Sequence, residues 1–363
     1  MAVEISAGKL RGLTMLSDSD GRFRMMAIDQ RGSLVKKLSE ILNKSADQVT
    51  YNDLATVKAS ITKILSPYSS ATLTDPIFGY PYSIAYIPKN VGFLLAFEDS
   101  GYDKAGANGV ERKSRPIPNW SVEKAKRAGA DAVKLLLYYR PEASKETLEH
   151  QHKMALKVGL ECEKYDLPFL LETVSYPLLG DELNSPSVFA TRKPDIVAQT
   201  AVEFSKPEYK IDILKLEFPA ELKYTVEFAD GRFGDRKREP VYDLEEVKQA
   251  CKQVDEASQL PWVILSAGVE IDEFIENVKL ASSAGASGFL CGRAIWQDCV
   301  QYYPDMKAME SFLTDECIEN FQRVNSIVHQ ANEGAKPWYT HKRFGGKSKV
   351  VLKDAGENWY ARF

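Results

Sequence analysis

The sequence predicts an α/β fold, a (β/α)8 TIM barrel forming a single domain with a C-terminal extension, and three observations carry that prediction. Eight short, apolar, β-rich runs are spread along the 363 residues. Helical patterns, with apolar residues three or four apart, lie between most of them. Three consecutive runs each carry one charged residue inside an apolar stretch: Lys134 in Asp131–Tyr139, Glu172 in Pro168–Val174 and Lys215 in Asp212–Pro219. A charge in a buried strand is costly unless it is paired or opens on a polar cavity. Two lysines and a glutamate at equivalent places in neighbouring strands therefore predict a shared polar pocket.

The first predicted strand, Arg24–Ile28, runs into Asp29-Gln30-Arg31-Gly32-Ser33. An open doubly wound sheet would show a G-x-G-x-x-G turn there, and this one lacks it. Strands follow at Ala71–Thr74 and Gly92–Phe97. A helix over Ser121–Ala128, opened by a serine cap, leads to a strand at Ala132–Leu137, and a helix over Lys145–Tyr165 leads to one at Phe169–Val174. The last three strands are Ile213–Phe218, Trp262–Ser266 and Gly288–Cys291, separated by helices over Leu244–Glu256 and Ile271–Ser283. No Pro/Gly/Ser-rich linker divides the chain, so residues 1–338 read as the barrel and 339–363 as an extension.

Composition narrows the function. A net charge of -4 with mixed signs gives neither the basic stripe of a nucleic-acid binder nor a polybasic membrane patch. Residues 1–16 lack the apolar core of a signal peptide, and no run reaches the ~20 apolar residues that span a bilayer, so a cytoplasmic protein is expected. Five cysteines without a C-x-x-C argue against a disulfide framework or a zinc site. Of four histidines, His150 and His152 lie two apart in a predicted helix and face different ways. Asp29, Asp75 and Glu98 could hold magnesium, but no metal is expected.

In a barrel, the residues at the C-terminal ends of the strands share one mouth. Here they are Asp29, Asp75, Glu98, Lys134, Glu172, Lys215, Ser266 and Arg293. Each alone could be an interior ion pair; their convergence favours a site. An unperturbed lysine has pKa about 10.4, so only about one in 2,500 is the attacking free amine at neutral pH. A second cation such as Lys134, two strands from Lys215, favours that free amine, and Glu172 between them is placed to move protons. Two lysines and a glutamate in this order point to imine chemistry on a carbonyl. The runs Leu265-Ser266-Ala267-Gly268 and Cys291-Gly292-Arg293 supply small residues, backbone N–H groups and a guanidinium fork after the last two strands, where barrel enzymes often bind phosphate.

Several motifs together carry a resemblance: Asp29-Gln30-Arg31-Gly32, Leu94–Glu98 with Gly101-Tyr102-Asp103, Ala128–Lys134 with Leu136–Tyr139, Asp212–Lys215, Leu265–Val269 and Cys291–Ala294. From about Met25 to Trp338 the chain resembles the class I tagatose 1,6-bisphosphate aldolase family. The resemblance implies Lys215 as the Schiff-base nucleophile, Glu172 as its acid/base and Lys134 as the neighbouring cation. It further implies that Asp29 and Gln30 contact substrate hydroxyls, and that Ser266, the Gly268 backbone and Arg293 hold the phosphate of the dihydroxyacetone-phosphate half. No cofactor is expected beyond the covalent imine on Lys215. The expected partner is a small phosphorylated ketose, with room for self-association and none for nucleic acid or membrane.

The sequence departs from the family pattern at Ile77–Val91, at Ala105–Pro118 and beyond about Lys336. Mouth loops select the aldehyde half, so the second phosphate site is where the pattern is least informative. Arg31 is a candidate for that site, unless it pairs with a helix carboxylate. The tail Thr340–Phe363, with Trp359, Tyr360 and Phe363, is expected to dock on a neighbouring subunit, cover the pocket or pack on its own barrel. Besides a ketose 1,6-bisphosphate, an aldolase substrate such as 6-deoxy-6-sulfofructose 1-phosphate, or a sensor without turnover, fits the same residues. The intact Lys215, Glu172 and Lys134 argue against the sensor.

Overall fold

The computed structural model describes residues 2–181, 186–234, 236–330, 333–357 and 359–362. Eight strands close into a barrel: β1 (Phe23–Ile28), β2 (Ala71–Thr74), β3 (Gly92–Ala96), β4 (Ala132–Tyr138), β5 (Phe169–Val174), β6 (Ile213–Leu216), β7 (Trp262–Ile264) and β8 (Gly288–Cys291). They pair in the order β7-β8-β1-β2-β3-β4-β5-β6, and every pairing is parallel. All eight predicted strands are present, shifted by no more than two residues at either end.

The strands read as apolar runs because both faces are covered. Alternate residues divide between two cores. Met25, Ala27, Leu94, Ala96, Leu170 and Ile213 fill the barrel interior, while Met26, Ile28, Leu95, Val133, Leu171 and Leu214 meet the surrounding helices. The helices begin where side chains satisfy their first N–H groups. Thr50 with Asp53, and Asp243 with Glu246, form reciprocal capping boxes ahead of Tyr51–Leu65 and Leu244–Ala257. Ser121 and Ser144 cap Val122–Arg127 and Lys145–Lys164, within two residues of the predicted bounds. Between β2 and β3 the crossover holds only a one-turn helix, Tyr80–Ser83, and a 3-10 turn.

The end of the barrel away from the strand C-termini is closed by both chain ends. Helix Ala7–Leu16 packs there through Leu13 and Leu16, in one cluster with Trp338 and Phe344. Val3–Ile5 pairs in parallel with Val350–Leu352. His341 Nε2 lies 2.8 Å from Ser287 Oγ, just before β8. The expectation of a tail covering the pocket is thus corrected for residues 340–352, which pack beneath their own barrel. Trp359 and Tyr360 are exposed, and Phe363 lies outside the described residues. Among the described residues no helix is long and apolar enough to cross a membrane. All five cysteines are buried and free.

Candidate active site

Strand alternation turns Lys134, Glu172 and Lys215 to the inside of the barrel, on the same faces as Ala132, Leu170 and Ile213. The three are not level, as the sequence suggested. Glu172 is the direct register partner of Lys215, whereas Lys134 pairs with Leu170 and sits two residues deeper, roughly 6–7 Å along the strand. The lysine side chain makes up the difference. Its Nζ is 2.8 Å from each of three carboxylates, Asp29 Oδ2, Glu98 Oε1 and Glu172 Oε2. The other oxygen of Glu172 lies 2.9 Å from Lys215 Nζ. Glu172 therefore bridges the two ammonium groups, and both lysines are at least 97% buried.

Glu98 is fixed from the far side. Its Oε2 accepts from the Leu136 N–H at 2.9 Å, and its backbone carbonyl accepts from Arg31 Nη2 at 2.7 Å. Arg31 Nη2 also stands 3.4 Å from Glu98 Oε1, so its carboxylate partner is on a strand end rather than a helix. The floor of the site thus gathers three cations, Lys134, Lys215 and Arg31, with three carboxylates, Asp29, Glu98 and Glu172. Burial opposes the charges of Asp29, Glu172 and Lys134, yet the pairing prevails. Burial and then Lys134 and Lys215 act on Asp29 and Glu172, and the two ammonium groups hold both carboxyls below their usual range. Burial works against Lys134 as well, but Asp29, Glu172 and Glu98 keep its ammonium well above the usual lysine range. Lys134 therefore stays a cation near Lys215, with carboxylates around it.

These directions fix a pH window. The depressed carboxyls add stability above their unfolded values of about 3.9–4.3, lost as pH falls through the lower folded values. The raised Lys134 adds stability below about 10.4, lost only as pH rises through its higher folded value. The contribution of this cluster is expected to be flat between those limits and to decline in acid, which urea unfolding across pH would show.

Above the floor lies a cavity of about 570 Å³, within the range of small-ligand sites. Asp29, Gln30, Arg31, Glu98, Lys134, Glu172, Lys215 and Arg293 all line it. Gln30 Oε1 and Arg31 Nε and Nη1 are buried with no hydrogen-bond partner among the described residues. Such atoms are costly to leave unfilled, and a polyhydroxylated ligand would satisfy them. On the β7–β8 side, Leu265, Ala267 and Arg293 face the cavity. Ala267 and Gly268 adopt consecutive left-handed conformations, φ 50° and 82°. A methyl group at Gly268 would come within 3.2 Å of Arg293 Cζ, so glycine lets the guanidinium lie against this turn. Ser266 is buried next to the cavity without lining it.

A family model described as DeoC/LacD family aldolase matches residues 23–298. The chain belongs to that family. The tagatose 1,6-diphosphate aldolase 2 of Enterococcus faecalis is 36% identical over 330 residues, covering 89% of this chain and 94% of that protein. The tagatose 1,6-diphosphate aldolase of Staphylococcus aureus is 33% identical over 360 residues, covering 98% of both. Among solved structures, the fructose-bisphosphate aldolase of Plasmodium falciparum superposes with a TM-score of 0.66 over 92% of this chain and 98% of that one. At 11% identity that likeness is one of fold. The resemblance read from the separated motifs is borne out.

Asp75, also named from the sequence as a mouth residue, stands away from this cavity. Asp75 is fully buried behind β2, where Lys58 of helix Tyr51–Leu65 reaches it at 2.7 Å. Its Oδ1 accepts from the N–H groups of Ile77 and Phe78. Asp29, Asp75 and Glu98 therefore do not converge as a trio: Lys134 joins Asp29 and Glu98, and Lys58 holds Asp75 apart. His150 and His152 face Ser114 and Tyr139 on the outer side. Glu217 was missed. It lines the cavity two residues after Lys215, accepts from the Ser175 N–H at 2.7 Å and lies 3.5 Å from buried Lys193. The two-residue strand period from Lys215 was the signal for it.

Proposed function

We propose that this protein is a class I aldolase that reversibly cleaves a ketose 1,6-bisphosphate, such as tagatose 1,6-bisphosphate, into dihydroxyacetone phosphate and glyceraldehyde 3-phosphate. The carrying observation is the Glu172 carboxylate held 2.8 Å from Lys134 and 2.9 Å from Lys215 at the floor of the cavity. In this reading Lys215, as the free amine, attacks the C2 carbonyl of the open-chain ketose. Glu172 passes protons as the carbinolamine loses water to give the protonated imine. Loss of the C4 hydroxyl proton then breaks the C3–C4 bond. Its electron pair moves into the enamine, and the aldehyde half departs. Protonation at C3 and hydrolysis of the imine release dihydroxyacetone phosphate and regenerate Lys215.

The remaining residues take supporting parts. Lys134 holds Glu172 and Asp29 ionised and in place. Asp29 and Gln30 bind substrate hydroxyls, with the unpartnered Gln30 Oε1 and Arg31 N–H groups available to the same ligand. Arg293 and the N–H groups around Gly268 hold the C1 phosphate, with Ser266 behind them. The imine is the electron sink, so a metal is not required, and the reaction is expected to run unchanged in a chelator.

Incubation with tagatose 1,6-bisphosphate, with triose phosphates followed by a coupled assay, tests the reading. Cleavage is expected, and its absence from the folded protein would overturn the proposal. Glu172→Gln is expected to slow turnover about 10²–10⁴-fold with a smaller change in KM, since proton transfer is lost and the shape kept. Gly268→Ala, strained at φ 82° and crowding Arg293, is expected to raise KM about 10-fold or more. An unchanged KM would remove this turn from the phosphate site.

A further inference from the structure

The loop after β3 rises into a short antiparallel hairpin, Asp103–Ala105 with Glu111–Lys113, whose second strand lies in one of the segments that depart from the family pattern. Arg112 on this hairpin stands among three tyrosines. Its Cζ is 4.5 Å from the ring centre of Tyr102, 5.4 Å from that of Tyr138 and 5.0 Å from that of Tyr176. The Tyr102 and Tyr138 rings brace each other edge to face at 4.8 Å, and the Arg112 N–H donates to the Tyr176 hydroxyl at 3.3 Å. Tyr138 lines the cavity, as does Gly101 beside Tyr102, so the cage adjoins it through Tyr138.

The other arginines on this side are committed. Arg115 binds Asp99 and Asp103, and Arg140 and Arg192 share Asp181 and Glu142. Arg112 forms no ion pair among the described residues. Aromatic rings take the flat faces of a guanidinium and leave its in-plane N–H edge for an oxyanion, which this fork meets bidentately.

Barrel order supplies the direction. Arg293 follows β8, and the Tyr138 that braces Arg112 ends β4, four strands away in a ring of eight and so opposite. Lys215 on β6 lies midway between them. A ketose held at C2 by Lys215, with its C1 phosphate toward Arg293, therefore extends its aldehyde half toward β4. Arg31 follows β1, next to β8, on the phosphate side of that line.

We propose that Arg112, held in the cage of Tyr102, Tyr138 and Tyr176, receives the terminal phosphate on the aldehyde half and so sets the preference for a bisphosphate. This rests on the aldolase reading above. The test compares kcat/KM for tagatose 1,6-bisphosphate and tagatose 1-phosphate in wild type and Arg112→Leu. The wild type is expected to favour the bisphosphate. The variant is expected to lose about 10–100-fold on it and to keep the 1-phosphate within about two-fold, the scale of one charged hydrogen-bonded contact. The ratio of the two substrates cancels the folded fraction of a preparation, and Arg112→Gln supplies it should Arg112→Leu yield no folded enzyme. A wild type indifferent to the second phosphate, or a ratio unchanged by the variant, overturns the proposal. A wild type that cleaves neither ketose overturns the aldolase reading instead.

Discussion

Lys215→Ala is expected to lose ketose bisphosphate cleavage by roughly 10⁴-fold or more while the protein stays folded. The first expectation follows from covalency, since no other group in the cavity can form the imine in its place without moving. Lys134 is the only comparable amine at the floor among the described residues, and it is 1% exposed, two residues deeper and held by three carboxylates. The second follows from the pairing. Removing Lys215 leaves Glu172 still bound to Lys134 at 2.8 Å, and the vacated space opens on the cavity rather than a dry core. A coupled triose-phosphate assay beside a thermal melt would check both halves. Near wild-type turnover in the variant would contradict the mechanism.

Lys134→Leu is expected to act chiefly on stability. It leaves Asp29, Glu98 and Glu172, all under 10% exposed, without the ammonium that joins them. Breaking a buried charge cluster from one side costs about 3–5 kcal/mol. The deficit is expected to be largest near neutral pH and to narrow toward about pH 4. There the Asp29 carboxyl, left without its ion pair in the variant, takes up a proton, while the wild type begins to lose what its depressed Asp29 and Glu172 contribute. Urea unfolding of both proteins at the two pH values measures this. A deficit under about 1 kcal/mol, or one independent of pH, would mean that Lys134 does not hold the cluster together.

The barrel was legible because parallel strands covered on both faces must be apolar, so each run stood out and its lone charge stood out more. Lys134, Glu172 and Lys215 could be assigned to one pocket for the same reason. Their depth could not. The stagger that puts Lys134 opposite Leu170 while Glu172 meets Lys215 belongs to the closed barrel, and no single strand encodes it. Asp75 misled because its partner Lys58 comes from a helix before the strand, a pairing that no local spacing announces. Arg112 was invisible in sequence. Its cage joins residues 102, 138 and 176 from three loops and strands, and a hairpin of mixed charge reads as an ordinary exposed turn.

The central claim is that Lys215 forms the imine, and borohydride reduction tests it most directly. The protein would be incubated with dihydroxyacetone phosphate or tagatose 1,6-bisphosphate, reduced, digested and mapped by peptide mass spectrometry. The account predicts one triose phosphate adduct from dihydroxyacetone phosphate, located on Lys215, and its absence from Lys215→Ala. An adduct on Lys134, or none with either compound on the folded protein, would contradict it.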